Sequence, residues 1–215
     1  KSIFSDGVTF ALNQQNTDWI YIDPSRRNES NGKVFFLEDC LPNVPIIVDQ
    51  LMEKTSSILI KTAPILDISV GLKALKYVSE IHIVAVNNEV KELLWVLNKK
   101  NVVSPLLYMV TIFEASTNTI VTTLDAENTS MATFSSPLKY LYEPFSSLMK
   151  AGVFNWLSKE FLAHKIHSQT HLYTTTKLID FPGRKFEIKA IHPYNKKTMR
   201  LLVKSKTNVV VKNFK

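Results

Sequence analysis

Cysteine is nearly absent: Cys40 is the one thiol among 215 residues. A lone thiol excludes an internal disulfide framework and a thiolate-built zinc site, and it points to a reducing, cytoplasmic setting. Glycine is scarce too. The five glycines stand at 7, 32, 71, 152 and 183, and no G-x-G occurs. The chain therefore brings no glycine-rich phosphate cradle of its own. Long apolar runs are missing as well. The most apolar stretches, 58–60 and 81–86, are short and strand-like, far from the ~20 residues of a membrane span, so no membrane partner is expected. Acidic residues run short in one region only. Residues 1–125 hold 11 Lys/Arg against 14 Asp/Glu, whereas 126–215 hold 15 against 5, a net of +10. Such asymmetry predicts two modules, 1–125 and 126–215, the second facing a polyanion.

What is present reads as α/β. Residues 19–23 form a short apolar run closed by Asp23-Pro24, a strand stopped by a turn. Residues 57–61 and 81–86 are two more buried strands. Apolar spacing predicts helices over 46–54, 70–78 and 89–97. Residues 106–114 and 119–124 follow as a hairpin closed at 115–118. Strands alternating with helices predict a parallel sheet covered on both faces, with 19–23, 58–61 and 81–86 as neighbours. Ligands of such sheets sit beyond the carboxyl ends of the strands. Those ends carry Asp23, Lys61 and Asn87-Asn88-Glu89. A Ser/Thr/Asn-rich stretch, 126–137, reads as a linker. Beyond it, helices at 145–149 and 153–161 and extended runs at 171–179, 185–191, 199–204 and 208–214 predict a small α+β module. Within it 181–184 reads as a turn, with Gly183 able to take positive φ.

Asp23-Pro24-Ser25-Arg26-Arg27 is the segment richest in chemistry. A carboxylate followed by proline at a strand end holds an acceptor rigidly at a cleft mouth. Arg26 and Arg27 can grip phosphate bidentately, or they can neutralise Asp23. Cys40 is a candidate nucleophile or a small packed residue. Lys61 and Asp67 either contact substrate or bond each other. Glu89 either contacts substrate or serves as an acidic helix start. His164, His167 and His171 have the three- and four-residue spacing of a metal-binding helix face, but the run into His171 reads as extended, and no metal is expected.

The order of motifs goes further. Asp18-Trp-Ile-Tyr-Ile-Asp-Pro-Ser-Arg-Arg27 is followed by Leu37-Glu-Asp-Cys-Leu-Pro42, Ile58-Leu-Ile-Lys-Thr-Ala-Pro-Ile-Leu-Asp67 and Val84-Ala-Val-Asn-Asn-Glu-Val-Lys-Glu-Leu-Leu94. Next come Tyr140-Leu-Tyr-Glu-Pro144, Lys150-Ala-Gly152, His171-Leu-Tyr173 and Phe181-Pro-Gly-Arg184. This series resembles the bacterial class I methyltransferases that carry a C-terminal THUMP-like domain. The resemblance implies the C-terminal part of a Rossmann-like sheet, followed by a small ferredoxin-like or THUMP-like α+β domain. It implies S-adenosyl-L-methionine as cofactor and a base in RNA as substrate. Asp23 and Pro24 then stand where such enzymes face the target amine, and Asp6 where an acid meets the adenine amino group. Arg26, Arg27, Lys61, Asp67 and Glu89 fall to the substrate side.

The glycine-rich turn and ribose-binding acid of the complete pattern do not occur here. The chain is accordingly expected to be the C-terminal fragment of a longer enzyme, inactive alone. The alternative is a non-catalytic RNA-binding or scaffold protein with a degenerate methyltransferase fold. In the basic module, Lys185, Lys189, Lys196, Lys197 and Arg200 are the expected RNA contacts. Tyr140, Tyr142, Trp156, Tyr173, Phe181, Phe186 and Tyr194 lie among them, either stacking on bases or forming the core.

Overall fold

The computed structural model describes residues 3–26, 36–99, 103–193, 195, 196, 198 and 200, with Arg26 described by its backbone. The elements in order are α1 (Gly7–Leu12), β1 (Thr17–Ile22), β2 (Ser25–Arg26), β3 (Cys40–Leu41), α2 (Val44–Met52), β4 (Thr55–Thr62), α3 (Ile68–Ala74), β5 (Val78–Val86), β6 (Glu89–Asn98), β7 (Leu106–Phe113), β8 (Ser116–Thr123) and α4 (Leu124–Asn128). Then follow β9 (Tyr140–Pro144), α5 (Ser146–Ala151), α6 (Phe154–Glu160), β10 (His164–Lys165), β11 (Tyr173–Thr175) and β12 (Gly183–Glu187). They form two units. The first runs through Ala126 and adds Ser146–Gly152, so it includes α5; the second holds Glu127–Phe145 and the chain from Val153 on.

The first unit is a six-stranded mixed sheet of order β1-β4-β6-β5-β7-β8. β1 lies parallel to β4, and β5 parallel to β7. β6 runs antiparallel between β4 and β5. Two expectations are corrected by this strand. Residues 89–97 are not a helix, and 58–61 and 81–86, though they point the same way, are not neighbours. Apolar residues at 90, 93, 94 and 97 mimic a helical stripe. They belong instead to a strand that is apolar on both sides. A two-residue turn causes the reversal: Asn87 and Asn88 both take positive φ (49° and 62°). Asparagine tolerates that region, which two-residue hairpin turns require.

One face of this sheet is a dry core. Ile58, Ile60, Ile81, Ile83, Leu93, Trp95, Leu97, Leu107 and Met109 are buried there. α3 presses Gly71 onto the Trp95 ring, where any Cβ would overlap it. α5 adds the Ser147–Thr111 hydroxyl pair at 2.8 Å. α2 buries Val44, Val48, Leu51 and Met52. Among the described residues the opposite face has no such cover. The alternate residues Trp19, Tyr21, Leu59, Leu94, Val96, Tyr108, Val110 and Val121 are all half-buried or exposed. Among the described residues the expectation of cover on both faces therefore holds for one face only.

The second unit carries an antiparallel sheet of order β10-β11-β9-β12. Phe181 packs on Tyr142, Tyr173 and Phe161 at ring separations of 5.1, 5.3 and 5.4 Å. Three of the aromatics weighed as stacking platforms, Tyr142, Tyr173 and Phe181, are thus core. The stretch read as a linker is built into this unit. Glu127 accepts the Asn155 and Trp156 amides at 2.8–3.0 Å. It caps α6, whose own N-cap residue Val153 offers no side chain for the purpose. Gly183 is not at positive φ; among the described glycines that is Gly152 (φ 74°). Gly183 is required for another reason. It opens β12 against β9 so closely that a Cβ would overlap the Glu143 backbone. Residues 199–204 and 208–214 contain the last two extended runs, which lie outside the described residues apart from Arg200.

Candidate functional site

The site grows from the end of β1. Pro24 lacks an amide hydrogen and cannot extend the ladder, so the chain leaves the sheet at Asp23. The next two residues pair with β3 instead, Ser25 opposite Leu41 and Arg26 opposite Cys40. The Ser25 hydroxyl also donates to the Leu41 carbonyl at 3.2 Å. This short ladder joins the Asp-Pro segment to the Leu37–Pro42 segment, two motifs that the sequence shows only as consecutive.

Asp23 meets Lys61 across the β1–β4 pair, Oδ2 to Nζ at 2.8 Å. Lys61 also faces the Glu92 carboxylate of β6 at 3.9 Å. The hydrogen bond that the ammonium donates to Asp23, aided by the nearby Glu92 charge, holds Lys61 above its ordinary range. A lysine bridging two carboxylates on three adjacent strands fixes Asp23 and leaves a negative excess at the sheet's end. Glu92 is the residue that sequence reading missed. Strand alternation through 92 and 94 would have put it on one face of a strand, but the helical spacing of the same segment hid that, and its place beside Lys61 follows only from the register of β4 and β6.

Asp23 and Asp6 open onto one cavity of about 800 Å³. Phe10, Gln14, Trp19, Tyr21, Pro42 and Ile47 also line it. Asp6 caps α1, with Oδ1 accepting the Thr9 amide at 2.8 Å. That bond holds its carboxyl below the ordinary range, so Asp6 is an anion at neutral pH. The cavity thus offers two carboxylates set in aromatic and aliphatic walls, at a volume typical of small-molecule sites. This lining suits a flat heterocycle with amino donors. For the adenosine part of S-adenosylmethionine it provides an acid and apolar walls, while a glycine turn is missing from this chain.

The remaining candidates have other occupations. Asp67 does not bond Lys61. It caps α3, accepting the Ser69 and Val70 amides at 2.8 and 3.2 Å and the Ser69 hydroxyl at 2.5 Å. Glu89 starts β6 rather than a helix and pairs with Lys91 at 2.7 Å. Cys40 is half-buried, its thiol 3.6 Å from the Phe36 carbonyl. His164 bonds the Thr133 hydroxyl at 2.7 Å, and His171 stacks on Phe154 with ring centroids 3.6 Å apart. In the basic module Lys185 pairs with Asp180 at 2.6 Å, and Lys189 pairs with Glu187. Lys196 and Arg200 are exposed. Arg27, Lys197, Tyr194 and the Arg26 side chain lie outside the described residues. Among the described residues no helix is long and apolar enough to cross a membrane.

Three comparisons bear on this arrangement. A family profile for a ferredoxin-like domain matches residues 140–182, a stretch that belongs to the second unit except for Ser146–Gly152. The chain superposes on the crystal structure of a putative methyltransferase from Porphyromonas gingivalis W83 with a TM-score of 0.80 and 32% sequence identity. That match covers 92% of this chain and 48% of the other, so this chain spans about half the length of that relative. No curated protein sequence matches.

Proposed function

We propose that the chain is the C-terminal, acceptor-positioning part of an S-adenosylmethionine-dependent methyltransferase that modifies a base in RNA. The observation that carries the reading is the Asp23–Lys61 pair at a strand's carboxyl end, opening onto the same cavity as Asp6. The likeness to the Porphyromonas protein and the order of motifs support it. When bound, the cofactor supplies an electrophilic methyl group on a sulfonium. This chain's part is placement. Asp23, held by Lys61, accepts a hydrogen bond from an amino group of the target and so turns the nitrogen lone pair toward the donor side of the cavity. Asp6 meets the adenine amino group. Phe10, Trp19 and Tyr21 keep water from the flat faces of the ligands. The gain is orientation, where small misplacements cost about 10²-fold.

Methyl incorporation into RNA by the protein expressed from its complete reading frame tests the reading. Asp23→Ala lowers the rate by about 10²-fold or more, whereas Asp6→Ala chiefly raises the concentration of S-adenosylmethionine needed. Label entering DNA or protein but not RNA would overturn the substrate. The 215 residues alone bind S-adenosylmethionine weakly or not at all in a calorimetric titration; tight binding by them would show the cofactor site to be elsewhere.

A further inference from the structure

β8 is an edge of the first sheet, paired among the described residues with β7 alone. The pairing runs from Phe113–Ser116 to Leu106–Thr123 without a register shift. Proteins usually guard such an edge with a charged side chain, a proline or a bulge. Ser116–Thr123 has none of these. The strand consists of hydroxyl residues with Asn118, Ile120 and Val121, and the nearest charges, Glu114 and Asp125, lie beyond its ends. One bond fixes which backbone groups point away from the sheet. The Leu124 amide donates to the Pro105 carbonyl at 3.1 Å. Hydrogen-bonded and non-hydrogen-bonded pairs alternate along an antiparallel ladder. Ser116, Asn118, Ile120 and Thr122 therefore bond β7, whereas Thr117, Thr119, Val121 and Thr123 turn their N–H and C=O groups outward. Thr117, Thr119 and Val121 are exposed.

We propose that β8 is a dimerisation edge, which pairs antiparallel with β8 of a second copy of this chain across a twofold axis. The occupant follows from the chemistry of the strand. An edge recruits a partner through its backbone, and β8 offers no charged side chain that would select a foreign sequence. A second copy brings an edge of the same length, about 27 Å, with the same neutrality and the same outward groups. One register engages all four outward residues. It sets Thr117 opposite Thr123 and Thr119 opposite Val121, and each pair recurs across the axis, as a self-complementary contact requires. Every such pair exchanges both of its backbone hydrogen bonds. The Thr117–Thr123 pairs add hydroxyl contact, and no like charges oppose each other within the strands. Edge pairing buries less than a standard interface, so the dimer is reversible. The inference does not rest on methyl transfer or on RNA.

Sedimentation equilibrium of the protein expressed from its complete reading frame tests it. The mass should rise from monomer to dimer with concentration, and amide exchange at Thr117, Thr119, Val121 and Thr123 should slow in step, by about tenfold or more in the dimer. Thr119→Lys combined with Val121→Lys changes two exposed side chains and sets like charges opposite each other in this register. It should keep the circular dichroism of the parent and weaken the dimer about tenfold or more. Thr119→Lys combined with Val121→Glu sets opposite charges across the same pairs and should restore it. A mass that stays monomeric up to millimolar concentration overturns the inference. So does a dimer in which those four amides exchange as they do in the monomer, or a second double variant that associates as weakly as the first.

Discussion

Asp67 shows how an acid at a strand end can have a structural occupation. Its sequence position suggests the substrate side, yet its carboxylate accepts two amides and a hydroxyl at the start of α3. The Ser69 hydroxyl bond and the two amides hold its carboxyl below the usual range against a partial burial cost. Loss of such a cap costs about 1 kcal/mol. Asp67→Ala should therefore lower the melting temperature at neutral pH. A depressed folded value means that the contribution is complete above the ordinary carboxylate pKa and fades as pH falls through the folded one. Parent and variant melting curves should thus converge in acid; a gap that persists at the lowest pH would assign the effect to packing instead. Lys61 differs in kind. Its partners come from two other strands, so it could be recognised in sequence as a polar strand end but not as the bridge between Asp23 and Glu92.

At the scale of elements, β6 decides the architecture of the first unit. Its Trp95 is fully buried, donates Nε1–H to the Thr62 hydroxyl at 2.9 Å and abuts Gly71 of α3. One ring thereby sets the distance between a helix and two strands. Gly71→Ala should destabilise the protein by about 1–3 kcal/mol through overpacking, more than the ~1 kcal/mol that alanine gains in a helix interior. Urea denaturation measures it. Trp95→Phe removes the ring atoms that the new methyl would meet, so the double variant should lose clearly less than the sum of the singles. Strict additivity would show that the helix shifts away instead. In the second unit, Gly183 plays the same close-approach role between β12 and β9, and Glu127 shows a polar, unstructured-looking stretch acting as a helix cap.

At the scale of the whole molecule, the charge asymmetry carries the RNA proposal. The net of +10 over 126–215 is formal, and the structure reduces what is available. Lys185, Lys189 and Arg184 each sit against an acid. If about four cations engage a single strand, log K falls with log salt at a slope near −3. Replacing Lys185 and Lys189 by Gln should flatten that slope and leave Asp180 and Glu187 as local repulsion. Stability should stay within about 0.5 kcal/mol, as for most surface changes. Filter binding of a structured RNA from low to moderate salt reads the slope. Binding that does not respond to salt, or an unchanged slope in the double variant, would remove these lysines from the interface.

The α/β class, the strands at 19–23, 57–61 and 81–86, the hairpin after them and the Asp23-Pro24 strand end were all determined by local sequence. Each rests on a signal confined to a few neighbours: an apolar run, a proline that cannot donate, a polar turn. β6 was not legible because a strand apolar on both sides and an amphipathic helix share the spacing 90, 93, 94 and 97. The cover on one face of the sheet, the bridge from Asp23 through Lys61 to Glu92, and the meeting of Asp6 with Asp23 on one cavity were decided by tertiary structure. These arrangements bring together residues 17 to 69 positions apart, and only strand order and register determine which side chains face one another across such distances.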